Sequence, residues 1–386
     1  MMRPITRLQL LAFRARRQHL ASEARGRTPE DVFAILRALQ PFPPIAGSMP
    51  GSAPHPRSRV LGYEDDWSER WRAAGRLVKG RFMHGNIAYV VDDDLGLYAA
   101  AFRRPLRDPL SQSAHRILEL LEQYGPMPKS ALREMVGIER GRFNRALTAL
   151  NRAFEVMEIQ RQVDWDSPWD LGRRAYPDAD PAAWEQTAAQ AEALRRFTQA
   201  FGPATVTEMA SWSGWNQRTA RKLLDHLLAH NTVVRVEVEG AEEPAYLASE
   251  EIEALTAVAP VSKFVLFLPT NDPFVMPQWP RLRTRYRPIP LPHCYGVVVV
   301  DGEMVGAAWG HYKRRFIHIE ELSLEPAIVH DPPRVDEVLT KLESFFVAGL
   351  VPIHIYGING EAEAPWIGAI LARNGFARQG GYYVRG

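Results

Sequence analysis

One stretch, residues 195–247, leaves few folds open: RRFTQAFGPATVTEMASWSGWNQRTARKLLDHLLAHNTVVRVEVEGAEEPAYL. It contains two helical patterns, 207–212 and 217–228, separated by Ser213-Gly214-Trp215-Asn216, which is helix-turn-helix spacing. In the second pattern Ala220, Leu223, Leu224, Leu227 and Leu228 recur at helical intervals and are expected to bury, while Arg218, Arg221 and Lys222 stay in water. Asn216 is a good N-cap for it. A Val-rich strand over 232–238, a turn at Glu239-Gly240-Ala241 and a short strand over 245–247 then make a hairpin. Helix-turn-helix plus hairpin is a winged helix. Such a unit either lays its second helix on nucleic acid or serves only as a packing or protein-contact module.

The pattern occurs twice. An amphipathic segment over 115–124, a break at Gly125-Pro126, a short helix over 129–136 and a longer one over 140–152 precede a strand over 154–159. Tyr124-Gly125-Pro126 answers Phe201-Gly202-Pro203, and Arg142, Arg145 and Arg152 form the exposed face that Arg218, Arg221 and Lys222 form later. The two read as an internal repeat, joined by a linker over 165–180.

Upstream, a helix over 6–21 sets Leu10, Leu11 and Phe13 beside Arg14, Arg16 and Arg17. Residues 1–27 carry seven arginines against Glu23 alone, although the formal net charge of the chain is only +2, so any basic surface is local. A second helix begins with Thr28 as cap, Pro29 first in the helix and Asp31 completing a capping box; Val32, Ile35, Leu36 and Leu39 form its buried face. Pro41 stops it and leaves Gln40 at its end. Residues 41–57 are too rich in Pro and Gly for regular structure. Residues 67–102 read as a helix, a strand over 82–91 and a helix after the acidic cap Asp92-Asp93-Asp94.

Beyond residue 260 strands dominate: 264–268, 295–300, a turn at Asp301-Gly302 into 303–309, then helix 335–346, strand 352–356, helix 366–373 and a last strand over 381–385. Between the first two strands, Arg281, Arg283, Arg285 and Arg287 would share one face of an extended segment, either across an anion or as a solvated edge. The expected fold class is α+β, with tandem winged-helix domains followed by a C-terminal α+β domain. The expected boundaries are 1–110, 111–180, 181–258 and 259–386.

A single cysteine, Cys294, excludes a disulfide framework and a thiolate zinc cluster. No metal motif and no phosphate-binding glycine loop occurs, so neither a metal nor a nucleotide cofactor is expected. Leu8 to Phe13 is too short an apolar run for a signal peptide, and no run reaches membrane-spanning length. The expected location is cytoplasmic.

The module order, Phe201-Gly202-Pro203-Ala204-Thr205, Trp212-Ser213-Gly214, Leu268-Pro269-Thr270-Asn271-Asp272-Pro273-Phe274 and Val298-Val299-Val300-Asp301-Gly302 resemble the tandem winged-helix DNA glycosylases of the AlkZ and YcaQ type. The ending, Ile358-Asn359-Gly360-Glu361 and Leu371 to Phe376, resembles the C-terminal region of Lhr-type helicases. The resemblance implies a cofactor-free glycosylase acting on alkylated bases or interstrand crosslinks in double-stranded DNA. The basic residues it would set on DNA are Arg14, Arg16, Arg17, Arg142, Arg145, Arg218, Arg221, Lys222, Arg281, Arg283 and Arg285. It also implies a catalytic signature of Gln, an apolar residue, then Gln or Asp, after a helix near the N-terminus. Gln40 fits the first position; Phe42 occupies the last.

Cleavage of an N-glycosidic bond builds oxocarbenium character on the sugar, which the protein stabilises while positioning water. A carboxylate can take a proton from that water; an amide only orients it. His55, His84 and the pair Asp65-Asp66 are the other polar groups that could serve, against plainer readings as structural histidines and a helix cap. Asp272 reads as a turn former, and Gln40 has its own plain reading as the end of a helix. Three functions follow: a glycosylase using Gln40, a DNA-binding protein without the chemistry, which Phe42 favours, or a scaffold that binds no DNA.

Overall fold

In a computed structural model, the described residues are 4–43, 54–59, 67–106, 108–160, 166–259, 263–286, 293–313, 316–345, 352–361 and 365–385. The architecture is α+β. Helix α1 (Arg7–Arg17) opens on a capping box, in which Thr6 Oγ1 accepts the Gln9 N–H and Gln9 Oε1 accepts the Thr6 N–H. Thr28 and Asp31 do the same for α2 (Pro29–Leu39). The first helix stops short of the expected residue 21. Leu20 and Ala21 turn inward to bury, and both amides donate to the Ala15 carbonyl around His19, whose φ is 53°.

After α3 (Trp67–Ala73), the strand expected over 82–91 is instead an antiparallel hairpin of β1 (Leu77–Arg81) and β2 (Ile87–Val91). Phe82 and Met83 are apolar because the turn itself is buried, and His84 and Gly85, both at positive φ, reverse the chain there. Helix α4 (Leu95–Phe102) is buried nearly all round.

The first helix-turn-helix unit comprises α5 (Gln112–Tyr124), β3 (Met127–Pro128), α6 (Lys129–Val136), α7 (Arg140–Arg152) and β4 (Val156–Glu158). The stretch expected as a linker supplies β5 (Pro168–Leu171), which lies between β3 and β4 in the sheet, and α8 (Gly172–Ala175). Its pairing partners lie some distance away along the chain, so no local pattern announced it.

The second unit follows the sequence closely: α9 (Gln186–Phe201), α10 (Val206–Ser213), α11 (Gln217–Ala229) and the hairpin β6 (Val233–Val236) with β7 (Ala245–Ala248), then α12 (Ile252–Thr256). Thr205 and Glu208 box the start of α10, and Asn216 Oδ1 accepts the Thr219 N–H at 2.8 Å to start α11. Gly214 ends α10 at φ 77°, and a Cβ there would come 2.7 Å from the backbone nitrogen of His84 on the β1–β2 turn.

The C-terminal sheet is built from β8 (Val265–Pro269), β9 (His293–Val300), β10 (Glu303–Lys313), β11 (Phe316–Leu324), β12 (Ile353–Ile355), β13 (Ala377–Gln379) and β14 (Tyr382–Arg385), in the order β13-β14-β12-β11-β10-β9-β8. Asp301 and Gly302, at φ 51° and 87°, make the β9–β10 turn that the Asp-Gly pair signals. The arginine-rich segment is not extended. It is helix α13 (Trp279–Arg285), because Leu282 and Tyr286, four apart, both bury; Arg287 lies outside the described residues. One face of the sheet packs on α15 (Pro332–Phe345) and α16 (Pro365–Arg373), with α14 (Pro326–Val329) leading in. The other face shares one buried cluster with α1, the β1–β2 hairpin and α9 to α11, through Leu266, Val297, Trp309, Ala15, Phe82 and Trp212.

One ion pair crosses that shared core. Arg57 and Asp272 are both 0% exposed; Arg57 Nη1 donates to Asp272 Oδ2 at 2.7 Å and Nη2 donates to Oδ1 at 2.8 Å. Arg57 Nη2 also reaches Gln18 Oε1 at 3.2 Å, and Asp272 Oδ1 accepts the Phe274 N–H at 2.8 Å. Asp272 does shape a turn, as expected, and it also clamps an arginine 215 residues away in the chain.

Removing one partner of a buried pair strands the other charge, which typically costs about 3–5 kcal/mol. Arg57→Met and Asp272→Asn should each lower stability by about that much in chemical denaturation, and the double variant by less than their sum. Gly214→Ala should cost about 1–3 kcal/mol, more than an exposed helix-end glycine would, because the positive φ and the contact with His84 both oppose a Cβ; a midpoint equal to wild type would show that the turn is not seated on His84.

Candidate nucleic-acid interface and the Gln40 cleft

Gln40 ends α2 with extended backbone, φ −65° and ψ 154°, and is 4% exposed. Its carboxamide is held at both ends. Nε2 donates to Asp94 Oδ2 at 2.6 Å, and Oε1 accepts the Val91 N–H at 2.8 Å. Gln40 thus stands at the end of its helix, but its side chain satisfies a buried backbone donor of β2 rather than capping that helix. The amide also borders a cleft of about 470 Å³ whose walls include Arg17, His19, Arg37, Asp94, Arg195 and Arg196.

Asp94 is the residue that sequence reasoning missed. It precedes α4 in the expected acidic cap, yet its carboxylate makes no capping hydrogen bond. Instead Oδ1 accepts from Arg196 Nη1 at 2.8 Å, and Oδ2 takes the Gln40 amide with Arg37 Nε 3.5 Å away. Three consecutive aspartates are more acid than one helix start can use, and that excess was the available signal.

Every arginine on the cleft wall has a carboxylate. Arg17 pairs with Glu251, Arg37 with Asp93 as well as Asp94, Arg195 with Glu192 and Glu250, and Arg196 with Glu192 and Asp94. These four arginines pair with five carboxylates, of which Asp94 is the one on the cleft wall among the described residues. Burial works to lower the Arg196 pKa, but the hydrogen bonds to Asp94 and Glu192 outweigh it and the net shift is upward. Burial lowers Arg17 and His19; the His19 ring, against the Ala24 carbonyl and near Arg57 and Arg17, is thereby biased toward its neutral form.

Phe42 does not border the cleft. It is fully buried, its ring stacked 6.2 Å from Tyr89 and its backbone paired with the same residue through N–H···O bonds of 3.0 and 2.8 Å. His55 opens the 3₁₀ turn His55–Arg57 and is absent from the cleft wall. His84 Nε2 lies 2.6 Å from the Ser211 carbonyl, a structural contact. Asp65 and Asp66 lie outside the described residues.

The predicted basic residues fall into three groups. Arg14, expected on an exposed face, is buried: Nε and Nη2 donate to the Pro203 carbonyl at 3.1 and 2.5 Å, Nη2 also meets Glu208 at 2.7 Å, and the guanidinium lies over Phe201. It ties α1 to the second helix-turn-helix unit, because the apolar stripe and Arg14 occupy the same side of the helix. Arg16, Arg17, Arg281 and Arg285 are matched to Glu23, Glu251, Glu303 and Glu325. Arg142 and Arg145 on α7, Arg218, Arg221 and Lys222 on α11, and Arg283 on α13 are exposed and in no ion pair with a described residue.

No curated protein matches the chain by sequence. Among solved structures, Streptomyces sahachiroi DNA glycosylase AlkZ is similar with a TM-score of 0.64 at 17% identity, over 92% of this chain and 100% of that one. At that identity the likeness is one of fold. A sequence profile described as DNA glycosylase AlkZ-like matches residues 54–345, beginning after Gln40 and Phe42. A match over that much of the 386 residues means that the chain belongs to the AlkZ-like DNA glycosylase family.

Proposed function

We propose that this member of the family binds duplex DNA and releases alkylated bases from it by hydrolysing the N-glycosidic bond, with Gln40 and Asp94 as the reacting pair. The observation that carries the reading is the 2.6 Å hydrogen bond from Gln40 Nε2 to Asp94 Oδ2 at the wall of a cleft of about 470 Å³. Phe42 has taken the place of the motif's last polar residue, and Asp94 supplies a carboxylate beside Gln40 from a different element.

The chemistry follows from charge. An N7-alkylated purine is already cationic and leaves without prior protonation, so the protein's task is to stabilise positive charge on the sugar and to deliver water. The Asp94 carboxylate, hydrogen-bonded by Arg196, can orient that water and receive its proton, and the second N–H of Gln40 Nε2 can hold the water in line. Each wall arginine is already paired with a carboxylate, which leaves the Asp94 carboxylate to favour a cationic base over a neutral one. Exposed cations on α7 and α11 would hold the duplex through its phosphates, so affinity should fall steeply with salt.

A second reading, a lesion sensor that binds without releasing the base, draws on Gln40 Oε1, which is already committed to the Val91 N–H. Base release from a duplex carrying N7-alkylguanine separates the two. Asp94→Asn and Gln40→Ala should each slow release by about 10²-fold or more while leaving salt-sensitive binding in place. Equal release by Asp94→Asn and wild type would sink the assignment of Asp94, and tight binding with no release from this or a crosslinked duplex would establish the sensor.

A further inference from the structure

We infer that a second cleft, between α7 and the segment leading into α5, is a phosphate site that takes the sugar–phosphate backbone of one DNA strand. The inference rests on the DNA-binding part of the reading above and is independent of base release. The cleft, about 650 Å³, is lined by Arg104, Arg142, Arg145 and Arg152 with Ser111 and Ser113, and no carboxylate lines it among the described residues.

Its charge is uncompensated. None of the four arginines makes an ion pair with a described residue, although other arginines of the same module do, Arg116 with Glu119 and Arg173 with Glu122. Glu139, three residues before Arg142, is committed at the start of α7, where its carboxylate accepts the Gly141 and Arg142 amides at 2.6 and 3.1 Å. Arg152 Nε is shielded from solvent and has no acceptor. Four like charges converging on one concavity repel one another and await an anion.

The geometry suits a strand better than a single small anion. Arg142, Arg145 and Arg152 recur along one stripe of α7, with Ala146 and Ala149 between them as a low floor. Ten residues of helix span about 15 Å, whereas a DNA strand presents one charge per roughly 3.4 Å of axis. Arg104 is fixed at the far end, its amide donating to the Arg152 carbonyl at 2.9 Å. The N-terminus of α5 adds its partial positive charge at Ser111, its N-cap.

The test is binding of the full chain to an undamaged short duplex across a salt series, comparing wild type with the double variant Arg104→Gln/Arg145→Gln. Each lost phosphate contact should lower the slope of log affinity against log salt by about 0.9. The variant should lose one to two such contacts, bind at least about tenfold more weakly at low salt and unfold no earlier than wild type. Wild-type slope and affinity in the variant would overturn the site while leaving DNA binding intact. A wild type that binds no duplex would overturn both, and failure of base release alone would touch only Gln40 and Asp94. Inorganic phosphate is the second probe: submillimolar binding that the variant abolishes, with the DNA slope unchanged, would overturn the backbone assignment in favour of a free phosphate.

Discussion

The buried pair of Arg57 and Asp272 holds the molecule in one piece. Each is fully removed from water, and the desolvation of two ions is recovered only through bidentate geometry and further hydrogen bonds, here from Gln18 and the Phe274 amide. The pair is a weak source of net stability against an apolar alternative, yet a strong constraint on arrangement. Arg57 follows the N-terminal helices, Gln18 ends α1 and Asp272 follows the first strand of the C-terminal sheet. Three distant segments must therefore meet before the Arg57 guanidinium has both Asp272 and Gln18 as acceptors. The large apolar cluster that runs from α1 through α9 to α11 onto the sheet can slide in principle; a bidentate ion pair within it cannot.

Two clefts on the same molecule have opposite electrostatic designs. Around Gln40 each wall arginine is paired with a carboxylate, so its charge is answered within the protein. Beside α7 four arginines face none. The proposed substrate, a cationic base on an anionic backbone, would suit this division, because a single uniformly basic groove would repel such a base.

Much of the helical layout was legible because its signals are local. Thr6, Thr28, Thr205 and Asn216 cap helices through side-chain contacts spanning three residues, and Asp301-Gly302 sets its own turn. What escaped the sequence depends on distant partners. Strand β5 has no meaning until β3 and β4 flank it. Strand β11 was missed because a bulge interrupts its alternation: Ile317 and Ile319 bury on one rhythm, Leu322 and Leu324 on another, with Glu320 and Glu321 between. Arg14 and Arg142 look alike in sequence, and only packing separates the arginine that joins two modules from the one left in solvent. The position of Gln40 at a helix end could be read from Pro41; its neighbour Asp94, 54 residues on, could not.

The contact between Gly214 and His84 closes the turn of the second helix-turn-helix with the tip of the β1–β2 hairpin. The turn is thereby seated on the N-terminal hairpin, which sets where α11 begins. A duplex bound by α11 would meet it in the position that this contact sets. DNA has to supply whatever bending is needed to meet it, and a helix softened by damage does so at lower elastic cost than an intact one. Discrimination can thereby begin in the mechanics of the duplex, before any base has reached the cleft.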